Sequence, residues 1–131
     1  MGFANDSMHT YIERDLKKKY PAGEGWKIER DPAWDGITFD YQVRKRRLGV
    51  SARVLVDVII DKTITEAMIS KITSKTEALA AQDVSVTGTV LIVPSGADVS
   101  AVPDDIGIMF LKVLMVEDND IIWWRKATAA Q

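Results

Sequence analysis

The chain has no cysteine and one histidine, His9, among its 131 residues. The first absence excludes disulfides, thiolate metal sites and cysteine nucleophiles. The second excludes a multi-histidine zinc site and leaves little for a histidine-based triad. His9 itself stands at the start of a predicted helix and reads as a surface residue. Any metal would have to be held by oxygen ligands, which favours magnesium, manganese or calcium. No apolar run approaches the roughly 18 residues of a membrane span. The amino terminus lacks a basic-then-apolar leader pattern, and Asp6 breaks the myristoylation pattern that Met1-Gly2 begins. A soluble, cytoplasmic protein with no membrane partner is the expectation. The chain also lacks a glycine-rich phosphate loop, a dinucleotide fingerprint and an aromatic RNA-binding signature. Pro94-Ser95-Gly96-Ala97-Asp98 is a turn and not a nucleophile elbow.

What is present is an ordinary globular balance, 47% hydrophobic and 27% charged, enough for one domain with a substantial core. Residues 1–6 read as a disordered start and 7–131 as the domain. A net charge of −2 argues against an overall electrostatic grip on nucleic acid. The positive charge is concentrated, however, at Lys17-Lys18-Lys19 and at Arg44-Lys45-Arg46-Arg47. The second cluster falls at a predicted hairpin tip, where it could contact phosphates. A charged edge that blocks sheet-to-sheet association is the plainer reading of the same residues.

Met8, Tyr11, Ile12 and Leu16 recur at helical spacing, predicting a helix from Ser7 to Tyr20 that Pro21, Gly23 and Gly25 end. Trp26 to Glu29 reads as a short strand and 31–36 as a loop. Two alternating runs follow, Ile37 to Arg46 and Ala52 to Asp61, about a Leu48-Gly49 turn. Thr63-Ile64-Thr65-Glu66 fits a capping box opening a helix to about Ala81, with Ile69, Ile72, Thr76 and Leu79 as its buried stripe. Ser85 to Val93 is strand-like. Ile108 to Val116, apolar throughout, fits a buried strand or a core helix equally. Ile121 to Arg125 is a last edge strand.

If Leu48-Gly49 is the hairpin loop, opposite residue numbers sum to 97. Phe39 then faces Val58 and Tyr41 faces Val56, matching the apolar faces. Asp40 falls opposite Asp57 on the same face. Like charges placed so are destabilising, so a divalent cation, a shared proton or solvent must relieve the pair. Arg44 and Arg53, also opposite each other, offer a metal-free alternative through diagonal contacts with the acids.

This order of elements, with an acid on each hairpin strand, resembles the PD-(D/E)XK nuclease superfamily, the restriction-endonuclease-like fold, over roughly residues 8–116. The resemblance implies an αβββαβ core, a central mixed sheet flanked by helices. It implies Mg²⁺ or Mn²⁺ held by Asp40 and Asp57, with Glu13 on the first helix as an additional acid. The alternative for Glu13 is an exposed pair with Lys17, four positions on. The family's lysine, two residues after the second acid, is replaced by Ile59. Lys62, Lys71 and Lys75 are candidates to supply that cation, although Lys62 alternates to the other face and a solvated helix face accounts for Lys71 and Lys75. The expectation is nucleic-acid association with weak or absent phosphodiester hydrolysis. The alternative is a non-catalytic interaction or assembly module, to which Trp123-Trp124 would contribute an anchor or a homodimer contact.

Overall fold

A computed structural model describes residues 6–47, 49–118 and 120–123. The expected disordered start (apart from Asp6), Leu48 of the expected turn, and Trp124 lie outside them, as do the side chains of Arg47 and Trp123. Helix α1 spans Asp6–Lys19 and is followed by a short 3-10 turn, Ala22–Glu24. Strands β1 (Trp26–Arg30), β2 (Ala33–Trp34), β3 (Ile37–Thr38), β4 (Tyr41–Arg47) and β5 (Val50–Val58) precede helix α2, Glu66–Ala81. Strands β6 (Gly88–Ser95), β7 (Ile106–Glu117) and β8 (Asp120–Trp123) follow it among the described residues.

Six strands form one mixed sheet in the order β1-β4-β5-β6-β7-β8, and β2 and β3 form a separate two-stranded sheet. The first three strands of the large sheet are antiparallel, β5, β6 and β7 run parallel, and β8 returns antiparallel. Helix α2 makes the crossover from β5 to β6, as a parallel pair requires. Met8, Ile12 and Leu16 of α1 pack on one sheet face with Tyr41, Val43, Val54, Val56 and Val58. Ile69, Ile72 and Leu79 of α2 pack on the other with Leu55, Leu91 and Val93. Each such buried side chain contributes about 1.5–3 kcal/mol. Ile108 to Val116 is strand, because β7 lies between β6 and β8 and its residues enter both clusters.

The hairpin register is the expected one: Tyr41 opposes Val56, Gln42 opposes Leu55 and Arg44 opposes Arg53. The first run is not one strand, however. Asp35 and Gly36 both have positive φ, 50° and 88°, and close β2 on β3, the backbone that an Asp-Gly hairpin loop favours. The chain then breaks at Phe39-Asp40 before β4 begins. The break shifts the alternation, so Phe39 packs on the α2 face with Leu55 and not beside Tyr41 against Val58. Strand β5 also stops at Val58, short of Asp61.

Candidate functional site

Asp40 and Asp57 are the two charged residues buried among the described residues, 2% and 9% exposed. They are brought together, not as a ladder pair but by reciprocal bonds across the end of the hairpin. The Asp40 backbone N–H donates to Asp57 Oδ1 at 3.0 Å, and the Val58 N–H donates to Asp40 Oδ2 at 2.7 Å. The break after Thr38 is what frees these groups from regular pairing. Burial is the first cause of the raised Asp40 carboxyl pKa, at about 6, with the Asp57 charge adding to it and the Val58 N–H opposing it. Burial also raises Asp57, against the Lys75 ammonium and the Asp40 N–H.

Lys75 is the residue that sequence reasoning set aside. Its Nζ lies 2.6 Å from Asp57 Oδ2, donates to Thr38 O at 2.8 Å and sits 3.9 Å from the centroid of the Phe39 ring. A signal for this was available. Lys75 stands three residues after Ile72 and four before Leu79, on the flank of the buried stripe. Lys71 is exposed, and Lys62 has no ion pair among the described residues. The diagonal Asp–Arg contacts do not form. Arg44 pairs with Glu29 at 2.6 Å, and Arg53 donates to Gln42 Oε1 and the Ser85 carbonyl.

Glu13 is held elsewhere. Arg30 pairs with it, in place of the expected Lys17, and the Tyr41 hydroxyl donates to its Oε2 at 3.3 Å. His9 is half-buried and hydrogen-bonds the same hydroxyl through Nδ1, so it is not the free surface residue expected. Burial and the Glu13 charge hold the Tyr41 phenol well above its ordinary range. Among the described residues no three acids or histidines cluster closely enough to form a metal cage. Asp40 and Asp57 therefore stand as a pair without Glu13.

The donor chemistry still fits a hard divalent ion. Magnesium is commonly bound through one or two carboxylates, with waters and substrate phosphates completing the shell. Asp40 Oδ1 accepts no hydrogen bond among the described residues, whereas Asp40 Oδ2 and both Asp57 oxygens are engaged.

The basic residues Arg44, Lys45 and Arg46 lie at the far end of the hairpin, beside a cavity of about 620 Å³. From Asp57 to Arg53 is four positions on one strand face, about 13 Å at strand rise. Among the described residues no helix is long and apolar enough to cross a membrane. No protein-family model and no curated protein matches the chain.

Proposed function

We propose that this chain is a nucleic-acid-associating protein on a restriction-endonuclease-like core, with a metal-assisted phosphodiester hydrolysis site at Asp40, Asp57 and Lys75. One observation carries the reading: Lys75 brings an ammonium to 2.6 Å from Asp57, supplying from α2 the cation that Ile59 cannot. The order of α1, the antiparallel trio β1-β4-β5, α2 and the parallel strand β6 supports it, being the order the resemblance implies.

Asp40 and Asp57 would hold Mg²⁺ or Mn²⁺, which when bound supplies Lewis-acid activation of water and neutralises charge on phosphoryl oxygens. Lys75 would stabilise negative charge developing on the phosphodiester. Its contacts with Thr38 O and Phe39 fix it in place before any substrate arrives. Burial of both acids limits the rate, since the site must open for an ion and a phosphate to reach it together. The expected activity is therefore slow.

A second reading, the non-catalytic interaction module, is favoured by the same burial of the acids. It is also favoured by Phe110, which is 44% exposed on β7. Calorimetric titration of Mn²⁺ into the wild type and Asp57→Asn separates the two. The hydrolysis site predicts binding at millimolar metal or tighter that is lost in the variant. No heat in the wild type, or equal heat in both proteins, would favour the interaction module.

A further inference from the structure

We infer that the cavity at the hairpin tip is a binding site for the sugar–phosphate backbone of single-stranded nucleic acid, an inference that rests on the nucleic-acid reading above. Two of its residues, Lys27 and Arg53, lie outside the basic run that the sequence makes obvious. Lys27 is directly opposite Arg44 across β1 and β4, and Arg44 is directly opposite Arg53 across β4 and β5. Three cations thus form one rank over three adjacent strands, spanning about 10 Å at the spacing of neighbouring strands. Like charges directly opposite are destabilising, and here there are two such pairs in succession.

The compensation inside the protein is incomplete. Glu29 pairs with Arg44. Arg53 is oriented by two neutral acceptors, Gln42 Oε1 at 3.1 Å and Ser85 O at 3.0 Å, which fix the guanidinium without cancelling its charge. Among the described residues, Lys27 and Arg53 have no carboxylate within ion-pair distance. Arg46 adds a further cation to the cavity, and among the described residues no acidic side chain lines it.

Trp26, next to Lys27 on β1, turns its ring to the other face of the sheet, where it packs edge-on against Tyr20 at 4.9 Å between ring centroids and carries the Lys45 ammonium 5.2 Å from its centre. A positively charged groove that tracks the phosphates is one element by which single strands are held. The volume of about 620 Å³ falls in the size class of small-molecule pockets. Such a space admits a few groups of one strand and not the width of a duplex.

The test is fluorescence anisotropy with a labelled oligothymidylate and a duplex of equal length, in EDTA, over a series of salt concentrations. EDTA keeps metal chemistry at Asp40 and Asp57 out of the readout. The wild type should bind the single strand more tightly than the duplex. Lys27→Ala and Arg53→Ala should each reduce the slope of log K against log salt by about 0.7, one phosphate contact on a single strand. Each should weaken binding on the order of tenfold at low salt. Lys71→Ala, which removes an exposed cation on α2, should leave the slope unchanged.

A wild type that binds while all three variants keep its slope would overturn this site and leave nucleic-acid association standing. Preference for the duplex would overturn the single-strand assignment. Absence of binding to either probe would overturn the site and nucleic-acid association together. Circular dichroism of each variant shows whether a loss reflects the site or the fold.

Discussion

Asp40 holds its proton more tightly in the folded protein than in the unfolded chain, its pKa rising from 3.8 to about 6. Between those values the folded state binds more protons, so stability falls as pH rises through the window, and the cost is complete above it. Two pH units correspond to at most about 3 kcal/mol. Asp40→Asn removes the charge and keeps an oxygen to accept the Val58 N–H. It should unfold at higher urea concentration than the wild type at neutral pH, by about 1–3 kcal/mol, and match it below the window. A variant less stable at neutral pH would mean that the Asp40 charge is stabilised in the fold. The acid pair was legible from residue numbers alone, because the register follows from the position of one tight turn. Its partner was not. A lysine on a helix reads as solvated unless its place relative to Ile72 and Leu79 is weighed, and pairing with a distant strand leaves no local mark.

At the scale of elements, the start of α2 shows local pattern yielding to tertiary context. Thr63 to Glu66 spells a capping box, but Thr63 bridges Asp98 and the Ile64 N–H donates to Asp98 O, holding both residues extended. The helix therefore begins two residues later. Thr65 caps it by accepting from the Met68 N–H at 3.3 Å, and the Met68 sulfur approaches the Thr65 N–H at 3.5 Å. Thr65→Ala should lower stability by about 1 kcal/mol in chemical denaturation, while Thr63→Ala should change it by less than about 0.5 kcal/mol. The reverse ranking would place the cap at Thr63. The β2–β3 hairpin was missed for a different reason. Asp35-Gly36 is a strong turn signal, but two-residue strands are too short for alternation to reveal them. That small element matters to the site, since it ends at Thr38 and Phe39, where Lys75 is anchored.

At the scale of the whole molecule, the sheet separates two kinds of charge along one hairpin. Its closed end carries the cations of β1, β4 and β5, and its open end carries the buried acids under α2. The succession of elements along the chain and the β4–β5 register were legible from alternating runs and one tight turn, but the order of strands across the sheet was not. The face each helix covers was not, since both sheet faces are apolar and either could accept α1. The proposed hydrolytic site consists of Asp40, Asp57 and Lys75. Cleavage of labelled single-stranded, duplex and branched oligonucleotides in Mn²⁺, by wild type, Asp57→Asn and Lys75→Met, tests it most directly. The wild type should cleave slowly and neither variant at all, with near-UV circular dichroism showing all three folded. No cleavage of any substrate by the wild type, or equal cleavage by all three proteins, would contradict it.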